Sequence, residues 1–191
     1  MSGKERITQL RQEQACRDLD RLNDDTPALS KHLADRLKSI EPKEMHFSGE
    51  DIAVYPCSVQ LNDGQAHPCT YLMSVTAAAR CWWLKADESN QIDLRSIVNI
   101  EPSPCRLPEK LARKIYGESR MGSLNGILLF QDGRALPFLT VESLEFPMIP
   151  EGYSIENIID VKLHDGFDDT KPLVRSRPYV AVLFRDGSYA T

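Results

Sequence analysis

The residues best suited to chemistry stand near position 60. Cys57, His67 and Cys69 form a thiol–imidazole–thiol set of the kind that ligates zinc. They flank Asp63-Gly64, and an Asp-Gly pair between apolar runs marks a tight hairpin. With a two-residue turn there, Cys57 faces Thr70 and Cys69 faces Ser58, and strand alternation sends the two sulfurs to opposite faces. No fourth ligand is evident, so small buried thiols and no metal are expected. A second candidate, Gly117-Glu118-Ser119-Arg120-Met121-Gly122, has one residue too many for a nucleophile elbow. It also follows a helix where that motif needs a strand. His32, His46, His67 and His164 sit in no acid–base constellation, so no catalytic residue and no enzymatic activity are expected. Asp165, Asp168 and Asp169 lack the spacing of a calcium loop. Neither glycine-rich phosphate motif occurs, so no cofactor is expected.

One cluster keeps a binding role open. Arg106, Lys110, Arg113, Lys114 and Arg120 gather around a short helical pattern, and Lys110, Arg113 and Lys114 can share one of its faces. They are the candidate ligand-binding residues for a small molecule or nucleotide. The opposing reading is a solvated face balanced by the acidic stretch 151–169, which holds six acids against Lys162. The net charge of −5 favours that reading and makes nucleic acid an unlikely partner.

These groups must be positioned by elements that the pattern predicts. A chain of 191 residues with 41% apolar content can bury a core in one domain or two small ones. A helix is expected from Lys4 to Asn23, with a thin stripe of Ile7, Leu10, Ala15, Leu19 and Leu22 that needs a partner surface. A second begins at Thr26-Pro27, carries Leu29, Leu33, Leu37 and Ile40 on one face, and ends before Pro42. From Asp51 the pattern turns to strands. Apolar runs lead into Asp63-Gly64, Asp132-Gly133 and Asp186-Gly187, predicting three hairpins with type I′ turns. The runs Ile127–Phe130 and Val180–Phe184 are apolar on both faces and predict central or covered strands, and Arg80–Leu84 predicts a further strand. Ile92, Leu94, Ile97, Val98 and Ile100 match Tyr153, Ile155, Ile158, Ile159 and Val161 at an offset of 61. This is either an internal duplication of a strand–corner–strand unit or a pattern that small β folds share without duplication. Between the repeats, Pro108 starts a connector helix over 107–117, whereas Asp165 to Pro178 reads as a polar, mobile loop.

Over residues 52–140 the order of hairpin, corner strand, helix and hairpin resembles small β-barrel families such as the pleckstrin-homology and Sm-like folds. Lipid-binding pleckstrin-homology domains carry basic residues in the first hairpin loop. Here the loop 62–67 has no Lys or Arg, so the resemblance implies no phosphoinositide role. Arg17 and Arg21 have the R-x-x-x-R spacing of the PilZ family but fall inside a predicted helix, and the segment Asp87–Ile92 lacks that family's final glycine.

The fold class expected is α+β, mainly antiparallel, as small barrel- or sandwich-like units. The divisions expected are a helical N-terminal arm (1–44), a β-rich unit (45–141) and a smaller β unit (142–191). A polar N-terminus, no long apolar run and five cysteines in no paired motif predict a cytoplasmic chain without a membrane span. The function expected is a non-enzymatic interaction or scaffold module, with a protein partner or a second copy engaged through the N-terminal helix. The alternative is a regulatory barrel that binds a ligand at the basic cluster.

Overall fold

The computed structural model describes residues 20–47, 50–80, 90–114, 124–140, 145–163, 174–186 and 189–190. The chain is α+β and β-rich, as expected. The first helix is described only in its last turns, residues 20–25 (α1). Thr26 ends it, its hydroxyl donating to the Leu22 carbonyl at 2.6 Å, instead of starting the next helix. Residues 27–30 are held extended, because the Arg185 N–H bonds the Pro27 carbonyl and Leu29–Ser30 (β1) pair with the C-terminal Tyr189–Ala190 (β11). Ser30 then caps a shorter helix, α2 (Lys31–Leu37), by accepting the Leu33 N–H.

The first sheet is built on a long strand, β3 (Glu50–Leu61). One edge of β3 pairs with β4 (Ala66–Ser74). The other pairs first with β2 (Lys43–Phe47) and then with β5 (Ile97–Pro102). Beyond β4 lies β10 (Val180–Phe184), which is parallel to it. Val180–Phe184 is therefore an edge strand, and it is covered on both faces, with Ala181 and Val182 buried in different apolar clusters. Its Ala181 carbonyl is met from outside by the Ile92 N–H. The third hairpin does not form, since β10 and β11 pair with β4 and β1 and not with each other. Instead Asp186 accepts the Thr76 N–H and hydroxyl, both at 2.9 Å, at the start of α3 (Val75–Arg80). Arg80 is thus helical and not in a strand, and Cys81–Leu84 lie outside the described residues.

The second sheet has the order β8-β6-β7-β9, from Ile158–Leu163, Leu124–Phe130, Ala135–Thr140 and Val174–Arg175. β6 is central, as its two-sided apolar pattern predicts. The hairpin 124–140 pairs with the chain after it, so the division expected at residue 141 cuts through this sheet. For the same reason the two hairpins do not share the single barrel implied over 52–140. Part of the expected polar loop is also structured, because Val174–Arg175 pair with Phe138–Leu139 and Ser176 bridges Pro147. The connector helix is four residues, α4 (Glu109–Ala112), and residues 115–117 of the expected helix lie outside the description.

The two sheets repeat one unit. Each hairpin loop has three residues, not two. The Gly64 N–H bonds the Leu61 carbonyl at 3.0 Å and the Gly133 N–H bonds the Phe130 carbonyl at 2.9 Å. The glycines take φ of 86° and 84°, the left-handed position that closes such a loop. A 3₁₀ corner, Leu94–Ser96 or Ile155–Asn157, then docks on the hairpin: Asn62 N–H on the Ser96 carbonyl, and Gln131 N–H on that of Asn157. In each corner strand one residue is bulged. Leu61 faces Ile97 and Gln60 faces Asn99, leaving Val98 extra, and Phe130 faces Ile158 and Leu129 faces Asp160, leaving Ile159 extra. β5 and β8 show the same order of buried and exposed positions. The strand–corner–strand unit therefore recurs as structure. Each copy carries its own parallel outer strand, β10 on β4 and β9 on β7.

Candidate functional site

The basic cluster is largely spent on neighbouring acids. Arg106 is nine-tenths buried and pairs with Glu109 at 2.7 Å, and its other terminal nitrogen donates to the Glu41 carbonyl. Arg113 binds Glu109 at 3.1 Å and reaches Glu44 at 3.8 Å, and Lys114 binds Asp160 at 2.5 Å. Lys110 is exposed on α4, and Arg120 lies outside the described residues. The arginines converge on the buried Glu109 carboxylate rather than on open solvent. A cleft of about 260 Å³ beside Arg106, Ser103 and Pro56 occupies the gap between β2 and β5. It is smaller than the roughly 300–1,000 Å³ of ordinary ligand sites.

Cys57 and Cys69 are buried in different apolar clusters, Cys57 with Val59, Leu72 and Ile100, and Cys69 with Tyr71, Met73 and Ala181. Cys57 faces Thr70 as expected, although a register shift after it separates this pair from Val59 and His67. Burial pushes the Cys57 thiol up to about 12. Among the described residues no group of three potential ligands is close enough to hold a metal.

Sequence reasoning missed the most heavily buried charge. Glu145 is fully buried between the sheets, 2.7 Å from the Lys43 ammonium, and it accepts a hydrogen bond from the Tyr71 hydroxyl. Burial alone would raise its pKa. The charge and hydrogen bond of Lys43, with the Tyr71 hydroxyl, outweigh burial and hold it below the usual carboxylate range. Phe146 and Tyr179 pack on the Tyr71 ring at 5.1 and 5.0 Å. The sequence signal is a lone acid within Leu144-Glu145-Phe146-Pro147, an apolar stretch that would otherwise bury an unpaired charge. Enclosed as it is, the triad pins the segment between β7 and β8 to β2 and β4 and offers no reacting group to a substrate.

An open groove of about 550 Å³ runs between the start of β3 and α3, lined by Asp51, Tyr55, Thr76, Phe184 and Asp186. Asp186 is committed to capping α3. The remaining distinctive surface is β8. Ile159 is 58% exposed and Leu163 45%, with Asp160 and Lys162 between them. In the equivalent strand β5, helix α2 roofs the outer side: Arg36 Nε donates to the Ile100 carbonyl at 3.2 Å and to Asn99 at 3.0 Å. On β8 the Val161 N–H is satisfied by its neighbour's carboxylate, Asp160, at 2.8 Å.

No family model, curated protein or solved structure matches this chain. Among the described residues no helix is long and apolar enough to cross a membrane.

Proposed function

We propose that this chain is a non-enzymatic interaction module of the cytoplasm whose partner is a second copy of itself, engaged through β8. The observation that carries the reading is the order of side chains along that strand. A two-fold axis through Val161 sets Ile159 against Leu163 and Asp160 against Lys162. An antiparallel self-contact thus matches apolar with apolar and sets Lys162 against the partner's Asp160, which keeps its own bond to Lys114, as an isologous interface allows. The exposure of Ile159 and Leu163 supports this, because large apolar side chains grouped on one strand mark interaction surfaces more than scattered ones do. The pairing of Arg106, Arg113 and Lys114 with acids weighs against the alternative of a nucleotide-binding barrel. The helix expected over Lys4–Asn23, most of which lies outside the described residues, is a second candidate surface for the same dimer. Free thiols at Cys57, Cys69 and Cys105 suit a reducing compartment.

Analytical ultracentrifugation tests the reading. The full chain should sediment as a dimer at tens of micromolar, and Ile159→Lys with Leu163→Lys should sediment as a monomer with unchanged circular dichroism. A wild-type monomer at that concentration overturns it. A rise of several degrees in melting temperature with nucleotides would favour the ligand-binding barrel instead.

A further inference from the structure

The loop that leaves the first sheet carries Cys105 back onto β4. The Ser103 hydroxyl donates to the Pro68 carbonyl at 2.5 Å and accepts the Cys105 N–H at 3.1 Å, which staples this loop to the strand beside Cys69. Cys105 packs against the apolar cluster that contains Cys69. Cys69 is 7% exposed, whereas Cys105 is partly open to solvent. The Arg177 guanidinium acts on Cys69 from the far side and opposes the rise that burial and the neighbouring thiol impose on it. A partly exposed thiol backed by a buried one within reach is the arrangement of an attacking and a resolving cysteine.

We propose that Cys69 and Cys105 are a reversible dithiol–disulfide pair, oxidised by hydrogen peroxide. The Cys105 sulfur, which solvent reaches, attacks the peroxide oxygen. The O–O bond breaks, Cys105 becomes a sulfenic acid and one water leaves. Cys69 then attacks the sulfenic sulfur, the S–O bond breaks, and the hydroxide departs with the Cys69 proton as a second water. Two thiols and one peroxide thus give one disulfide and two waters. The bond ties β4 of the first sheet to the loop that runs on into α4 and the second sheet. Cys57 lies in a different cluster and stays reduced.

The test uses the full native chain and hydrogen peroxide. After oxidation, unfolding and thiol titration, the five titratable thiols of the reduced chain should fall to three. Peptide mapping should show Cys69 joined to Cys105, and dithiothreitol should restore all five. Oxidation of the chain already unfolded in guanidinium should scramble this pairing. The variant Cys105→Ser should show no Cys69-containing disulfide, its fold checked by circular dichroism. Five thiols after native oxidation, a pairing that uses Cys57, or irreversible over-oxidation of Cys105 with Cys69 still free would each overturn the proposal.

Discussion

The two copies of the β unit have the same hairpin, corner and bulge, yet they end in different surroundings. In the first, helix α2 covers β5 and Arg36 takes up the Ile100 carbonyl. In the second, the matching strand β8 keeps Ile159 and Leu163 in solvent and satisfies Val161 with its own neighbour. The corners differ as well. Tyr153 donates to Asp132 of the hairpin loop at 2.6 Å and stacks on Phe130 at 4.6 Å, closing the second unit on itself. Its counterpart Ile92 instead bonds the Ala181 carbonyl of β10, opening the first unit to a strand from the far end of the chain. The comparison teaches that the repeat supplies a frame, while the segments outside the repeat decide which edge meets a neighbouring helix and which stays open.

The largest expected effect comes from cutting the link between the copies. Glu145→Gln leaves the Lys43 ammonium nearly buried without its counter-charge and should cost about 3–5 kcal/mol in urea melts at pH 7. Lys43→Met with Glu145→Leu should recover much of that loss, because it leaves no charge unpaired. Because the folded-state pKa of Glu145 is depressed, its contribution is full above the unfolded-state value and lost as pH falls through the folded one. The gap between wild type and Glu145→Gln should therefore narrow on acidification. A gap that is constant with pH would show that the carboxylate is not the pinning group.

Next come the loops. Gly64→Val and Gly133→Val should each cost about 1–3 kcal/mol through backbone strain alone, since a side chain at either site meets nothing within 4 Å. The two costs should agree to within about 0.5 kcal/mol, the ordinary scatter for equivalent independent sites. A wide disagreement would break the equivalence of the copies.

Roofing should matter less. Arg36→Met removes three charge-assisted bonds to β5, to Asn99, Ile100 and the exposed Glu101, and should cost about 1 kcal/mol. Lys114→Met removes an exposed contact to β8 and should leave the denaturation midpoint where it is. Smallest in stability, within about 0.5 kcal/mol, should be Ile159→Lys and Val98→Lys, both on exposed bulges. These two separate the copies by function: Ile159→Lys should abolish dimer formation in sedimentation, and Val98→Lys should leave it intact.

Much of each unit was legible locally. The Asp-Gly pairs at 63–64 and 132–133 located both hairpins, although the loop gained a third residue because only the glycine takes the left-handed conformation. The third pair, Asp186-Gly187, misled because a carboxylate before glycine serves a helix cap as well as a turn, and Thr76 claimed it. The basic cluster was visible as composition. Its pairing with Glu109 is local, but Glu44 and Asp160, which bind Arg113 and Lys114, come from other elements that local spacing does not report.

By itself the sequence determined the repeated unit, since alternation, turn glycines and the corner pattern at an offset of 61 act between residues close along the chain. Tertiary structure alone decided the parallel strands, β1 with β11, β4 with β10 and β7 with β9, and the Lys43–Tyr71–Glu145 pin. Each joins segments far apart in sequence, where no local periodicity reports the partner. An edge strand and a central strand of similar apolar content differ only in what arrives beside them. That is why the sequence reads Val180–Phe184 as central or covered and the fold makes it a covered edge, and why β8 reads like β5 yet leaves Ile159 and Leu163 exposed.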